Sequence, residues 1–317
     1  MHTKIKIIFV LFLFLIIIFQ IIFKNIIKNI PISKICLCTY GKKENRYIRE
    51  FVQHYKYYGV DKIFLYDNND IEGERFEQKI SDYIKNHYVE IINYRGQKLR
   101  TIMKIYNHCY FTNKDNYDWL IFYEIDEFIF LRNFRKIKIY LNQLKFKNCE
   151  LILLNWVHLS DNNLIYYENK PLSIRFRKRG ENVKKNNRLA FVKSIIRGHL
   201  KNITLTNGHI LSNKIKGCDG FGRIFNLNSI TNKRPDYEYY FINHYYCKSL
   251  EEFVDKLKRG DIYKGNSIVN NMYQIKKYFY INKITSKKLD FIEKKLGKLV
   301  NLSEYRKKIQ NLKSLKR

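Results

Sequence analysis

Three acids stand close together near the middle of the chain, in the stretch WLIFYEIDEFIFL from Trp119 to Leu131. Glu124 and Asp126 are separated by one residue, so an extended backbone points both to the same side, and Glu127 follows at once. Like charges that close repel unless a bound proton or a cation lies between them. The apolar residues on either side imply burial, and a buried unpaired carboxylate is expensive. Two kinds of partner would relieve it: arginine or lysine side chains, or a divalent metal ion. An all-oxygen ligand set suits Mn²⁺ or Mg²⁺ in contact with substrate phosphates.

Other residues invite two readings each. Asp67-Asn68-Asn69-Asp70 ends an apolar stretch, where these residue types suit a ligand site and a plain turn equally. Lys193 and Arg197, in VKSIIRGH, share a face whether that stretch is helical or extended. Both fall in the one strong basic cluster, Lys170 to Lys201, which has eleven Lys or Arg and the single acid Glu181. They suit a phosphate-bearing or otherwise anionic ligand, and a solvated face nearly as well. Trp156 suits packing on a sugar face or filling the core.

The segments that must position these groups alternate in type. KICLCT (34–39) reads as a strand. ENRYIREFVQHYKYYG reads as a helix with Ile48, Phe51, Val52 and Tyr55 on one face and Gly59 closing it. A strand at DKIFLYDNND (61–70), a helix at GERFEQKISDYIKN, a strand at YVEIINY (88–94), a helix at KLRTIMKIYNHCYFT and a strand at DWLIFY follow. Continuous apolar strands between amphipathic helices predict an α/β fold with a mainly parallel central sheet covered on both faces. In such sheets ligands bind beyond the carboxyl ends of the strands, where both polar clusters fall.

With 317 residues, 45% of them hydrophobic, the chain suffices for one large domain or two small ones. Only 13 Gly and 3 Pro argue against a long flexible linker. A net charge of +31 would suit a nucleic-acid binder. The lysines, however, are spread over nearly every segment, and the abundance of Asn, Lys, Ile and Tyr points to a biased genome. From Ile7 to Phe23 seventeen residues are broken only by Gln20 and flanked by Lys4, Lys6, Lys24 and Lys28. As a helix this run is ~26 Å long, enough for a thin bilayer. No small-x-small cleavage site follows, so an uncleaved signal anchor is expected, single-pass, with the large domain in a lumen. The sequons Asn202-Ile203-Thr204 and Asn301-Leu302-Ser303 are compatible with that. Cys36 and Cys38 face one side of a predicted strand and read as core; one disulfide among the other four cysteines would suit a lumen. The expected organisation is an anchor and short stem over 1–33, a catalytic domain over 34–265, and basic amphipathic helices over 266–317 that close the site, pair with another subunit or rest on lipid.

Four blocks carry a resemblance. They are KICLCTYGKKENRYIREFVQHYKYYGVDKIFLYDNND, DWLIFYEIDEFIFL, LNWVHLSDNNLIYYENKPLSIRF and INHYYCKSLEEFVDKLKRG. In that order they resemble glycosyltransferase family 92 and its bacterial and viral relatives. The resemblance implies a GT-A fold, a nucleotide-binding α/β sandwich. It implies a metal-dependent inverting transferase that moves a hexose from a nucleotide-diphosphate sugar, expected to be a UDP-sugar, with Mn²⁺ as cofactor. The acceptor would be a hydroxyl of a glycan, protein or lipid. The family's usual Asp-x-Asp is here Glu124-Ile125-Asp126. Asp126 then becomes a direct metal ligand, with Glu124 on the metal, its water or the donor ribose, and Glu127 a supporting acid.

The same resemblance makes His244, in FINHYYCKS, a late-chain metal ligand with Lys248 on the diphosphate; the plainer alternative is a histidine on a strand edge. His209, in TNGHI, competes for the same ligand place. Asp161, in WVHLSDNN, is the expected general base for the acceptor hydroxyl, its alternative being a turn-forming Asp. Thr39, Tyr40 and Arg46 lie where GT-A folds hold the base and ribose, with Asp67 at the next strand end.

A competing function is a non-catalytic, basic, membrane-tethered module that holds nucleic acid or acidic glycans. It explains the charge but gives Glu124 and Asp126 no purpose, and it lacks the aromatic–basic interleaving of single-strand binders. Nucleic acid is therefore not an expected partner. A two-metal phosphoryl-transfer site would need more carboxylates at neighbouring strand ends. The compartment follows the cell: Golgi or endoplasmic reticulum lumen in a eukaryote, inner membrane in a bacterium, host membrane or virion for a virus.

Overall fold

A computed structural model describes residues 33–97, 102–182, 190–260 and 267–314. The apolar run at 7–23 and the middle of the basic cluster, 183–189, lie outside the described residues. Among the described residues no helix is long and apolar enough to cross a membrane.

In chain order the elements are β1 (Ile35–Gly41), α1 (Ile48–Tyr58), β2 (Lys62–Asp67), α2 (Glu77–Lys85), β3 (Val89–Asn93), α3 (Ile102–Asn113), β4 (Trp119–Phe122) and β5 (Glu127–Leu131). There follow α4 (Ile137–Leu141), β6 (Leu151–His158), α5 (Leu172–Arg175), β7 (Val192–Arg197), β8 (Gly217–Asp219) and β9 (Tyr240–His244). The chain ends in α6 (Leu250–Arg259), α7 (Ile268–Ile281), α8 (Ser286–Leu296) and α9 (Ser303–Ser314).

The nine strands among the described residues join one sheet in the order β3-β2-β1-β4-β7-β6-β9-β5, with β8 beside β6. The first four strands are mutually parallel. β7 runs antiparallel to both β4 and β6, β9 runs parallel to β6, and β5 antiparallel to β9. The sheet is therefore mixed, with its parallel half as the sequence predicts. β4 and β5 are consecutive in the chain yet have β7, β6 and β9 between them in the sheet. In a flat sheet that gap is about 19 Å, beyond the reach of the four-residue link Tyr123–Asp126, so the sheet curls.

Strand alternation separates two cores. Ile35 and Leu37 of β1 join the cluster under α1, while Cys36 and Cys38 join the cluster under α3. Gly59 ends α1 in a left-handed conformation (φ 82°), as the sequence predicts. Cys38 is not simply a core thiol: it forms a disulfide with Cys109 of α3, and a second disulfide joins Cys149 to Cys218. The free cysteines among the described residues, Cys36 and Cys247, are buried. Both sequon asparagines, Asn202 and Asn301, are exposed.

The four C-terminal helices share a third cluster built on Phe253, Ile275, Tyr278 and Leu289. Each of the first three has a hydroxyl cap: Ser249 with Glu252 as a capping box on α6, Ser267 on α7 and Thr285 on α8. Helices beyond 265 thus pack directly on α6 of the preceding region.

Candidate active site

Where β4 ends, the chain runs through Tyr123, Glu124, Ile125 and Asp126 into β5. Ile125 rests against Gly41 at the end of β1. A Cβ on that glycine would lie 2.4 Å from Ile125 Cδ1 and 2.8 Å from Phe76 Cζ, so its bare backbone is what admits the acid-bearing link.

Register brings Lys193 to the acids. β7 pairs with β4 so that Ser194 faces Phe122, which leaves Lys193 beside the residues that follow β4. Its ammonium is 2.6 Å from Glu124 Oε1 and 3.4 Å from Glu127 Oε1. Lys193 is 2% exposed and Glu127 wholly buried. The Glu124 backbone N–H donates to Glu127 Oε2 at 3.0 Å. Burial would raise the Glu124 carboxyl, yet Lys193 outweighs it and holds the group below its ordinary range. At Glu127 burial prevails despite Lys193, and with Glu124 and Asp126 it pushes that carboxyl well up.

A second row crosses β5, β9 and β6, where Glu127 faces His244 and His244 faces His158. His244 Nε2 is 3.6 Å from Asp126 Oδ2, and Lys256 of α6 brings its ammonium within 3.4 Å of the same oxygen. Burial pushes His244 down to about 4 despite Asp126, leaving the neutral imidazole that ligates metals. Burial opposes ionisation of Asp126, but Lys256 and His244 hold it well below the usual carboxylate range. Asp126, Glu127 and His244 each offer a ligand atom, all within 4.8 Å of one another. Two carboxylates and an imidazole suit Mn²⁺. Glu124, expected on the metal, its water or the donor ribose, lines the cavity with its carboxylate on Lys193, and the grouped ligand atoms come from Asp126, Glu127 and His244.

In front of this group opens a cavity of about 600 Å³. The sheet contributes Tyr40, Gly41, Glu124, Asp126, Trp156, Lys193 and His244 to its wall, and the helices contribute Lys256, Arg259, Tyr273, Gln274 and Lys277. His209 lines it too, with Nδ1 3.0 Å from the Val192 carbonyl. It is not among the three grouped ligand atoms.

Several expected site residues lie elsewhere. Asp161 is buried against Lys288 at 2.6 Å and accepts from the Tyr278 hydroxyl and the Asn163 N–H. A carboxylate so engaged, outside the cavity wall, is not offered to a substrate hydroxyl; it fixes the turn after β6 to the C-terminal helices. Lys248 does not itself line the cavity; it pairs at 3.5 Å with Glu44, which does, and lies over the Tyr47 ring. Arg197 stacks on Trp119 and donates to the Cys149 and Phe146 carbonyls, at the far end of β7 from the site. Arg46 is half exposed, 4.0 Å from Asp255 and over the Tyr167 ring. Thr39 is wholly buried in β1. Asp67 is paired with Arg95 at 2.6 Å and braces Asn69, while its neighbour Asn68 reaches the cavity. Lys42, Lys256, Arg259 and Lys277 are the site cations that sequence reading misses, since nothing marks them among 60 Lys and Arg.

Comparison with known proteins adds the family. Residues 33–279 match the model of glycosyltransferase family 92. A glycosyltransferase family 92 protein of Arabidopsis thaliana is 24% identical over 102 residues, 32% of this chain and 17% of that protein. One of Oryza sativa subsp. japonica is 27% identical over 94 residues, 30% of this chain and 16% of that protein. The matched stretches thus span less than a fifth of either relative. Among solved structures, S. aureus TarS 1–349 in complex with UDP is similar at a TM-score of 0.36 and 10% identity, over 83% of this chain and 70% of that one. GalNAc-T7 with UDP, GalNAc and Mn²⁺ gives 0.36 and 10%, over 87% and 54%. The family match reaches from β1 through α7, taking in every cavity residue named above, and the chain belongs to glycosyltransferase family 92.

Proposed function

We propose that this protein is a metal-dependent, inverting glycosyltransferase of the GT-A type. It transfers a hexose from a nucleotide-diphosphate sugar to a hydroxyl of a glycan, protein or lipid. The observation that carries the reading is the Asp126–His244 pair, with Glu127, on the wall of a cavity of about 600 Å³ in a family 92 chain. Asp126 and His244 would hold Mn²⁺ or Mg²⁺, with Glu127 as the third ligand. The metal supplies positive charge to the departing diphosphate. Lys193 neutralises Glu124 and so leaves Asp126 as the acid whose charge faces the cavity. Tyr40 and Asn68, at the carboxyl ends of β1 and β2, stand where a sheet of this kind receives a nucleotide. The two disulfides favour an oxidising compartment such as a secretory lumen.

The test is turnover of a panel of UDP-sugars with Mn²⁺ and with chelator, for the parent and Asp126→Ala. Turnover should need the metal and fall at least about a hundredfold in the variant, since losing even a group that only supports a metal ligand costs ten- to a hundredfold. Activity that survives both changes would overturn the reading.

A further inference from the structure

Helices α6 and α7 bring two lysines to the cavity, and they are not equivalent. Lys256 already has Asp126 at 3.4 Å. Lys277 has no carboxylate within ion-pair distance among the described residues. Its ammonium rests on ring faces, 4.1 Å from the centroid of Tyr246, 5.3 Å from Trp156 and 5.7 Å from Phe191. Beside it, the indole Nε1–H of Trp156 is buried without an acceptor, in a side chain only 6% exposed. Buried donors normally have partners, and the half-buried Lys277 faces the cavity with no counter-charge beside it among the described residues. Burial and then Lys256 push Lys277 down to about 8, which leaves it largely protonated at neutral pH. Two donors lacking acceptors, on one wall of one cavity, call for the same kind of ligand: an anion that only accepts.

We propose that Lys277 and the Trp156 indole form an anion subsite of the cavity that takes a phosphate group. It deepens the glycosyltransferase reading and depends on it only for where the phosphate comes from: the donor's diphosphate or a phosphate carried by the acceptor. Lys256, already drawn to Asp126, borders the subsite on the side of the metal group.

Inorganic pyrophosphate is the probe, titrated calorimetrically into the full chain with chelator present and at fixed salt. Lys277→Met should weaken binding by about tenfold or more, the loss of a charge-assisted contact, and Trp156→Phe by a smaller factor. Lys277→Arg should stay within a few-fold of the parent. Lys276→Met, which removes an exposed lysine one residue away and outside the cavity, should change nothing. Lys277→Met should melt no lower than the parent, because it removes an unpaired charge; if it does not fold, Trp156→Phe and Lys277→Arg still decide. Repeating the titration with UDP and Mn²⁺ at saturation separates the sources. Exclusion of pyrophosphate assigns the subsite to the donor, and continued binding that Lys277→Met abolishes assigns it to the acceptor. A parent that does not bind pyrophosphate, or Lys277→Met binding as the parent does, overturns the proposal. Failure of the parent to turn over any sugar nucleotide while still binding pyrophosphate through Lys277 would remove the activity and leave the subsite standing.

Discussion

Two carboxylates, Glu124 and Glu127, depend on the one ammonium of Lys193. Lys193→Met would leave both acids without that charge in a buried place. Breaking a buried pair costs about 3–5 kcal/mol, and the partial exposure of Glu124 argues for the lower end, about 3 kcal/mol, read by chemical denaturation. A loss below about 1 kcal/mol would mean that water reaches the acids. Spacing and apolar flanks mark Glu124 and Asp126 as a pair in the sequence, but not which partner each takes. That is decided by the register of β7 against β4, which only a folded sheet sets. Asp161 shows the opposite failure. Its turn chemistry is visible in the sequence, and the turn is what it serves; its lysine, Lys288, comes from 127 residues further along.

Among the elements, β1 and α6 carry the sharpest expectations. Gly41→Ala would thrust a methyl group into Ile125 and Phe76, for about 1–3 kcal/mol of overpacking. Because Ile125 lies between Glu124 and Asp126, the stabilisation that Mn²⁺ would give the parent in a thermal melt under the proposed function should shrink in that variant; an unchanged Mn²⁺ shift would show that the link moves independently of β1. At the start of α6, Glu252 accepts from Arg175 at 2.6 Å, from Tyr47 at 2.6 Å and from Ser249 at 2.5 Å. Burial alone would raise its pKa, but those bonds, Arg175 first, bring it from an ordinary 4.5 down to about 2. A depressed carboxyl contributes stability that is fully present above about 4.5 and lost as the pH falls towards 2. Glu252→Gln should therefore be less stable at neutral pH and lose the acid-dependent slope between pH 4.5 and 2. A slope that persists unchanged would place acid sensitivity elsewhere. The early elements were readable because each carries its own period and terminator, as α1 does with Gly59. β7 and β9 were not, since short apolar runs in a basic chain fit helix and strand alike.

Across the whole molecule, the disulfides close loops of 71 and 69 residues. In the chain-entropy model each contributes about 4 kcal/mol. Reduction should lower the denaturation midpoint markedly, and Cys109→Ser should reproduce about half of that fall; a reduced protein as stable as the oxidised one would rule out this contribution. Cysteine spacing offers no clue to either pairing, because Cys38 sits in an apolar strand whose other cysteine, Cys36, stays free. The α/β class, the acid pair and the family blocks are legible, as is site closure as one role for the C-terminal helices, whereas nothing among 60 Lys and Arg marks which cations of α6 and α7 line the wall. That wall has a consequence for biosynthesis. Lys277 follows Asp126 by 151 residues (277 less 126), so the nascent chain has no complete pocket until α7 has been made. A ribosome-stalled fragment ending before residue 268 would carry the acids of the metal group while missing the cations of α7, and substrate capture would begin only as the final helices dock.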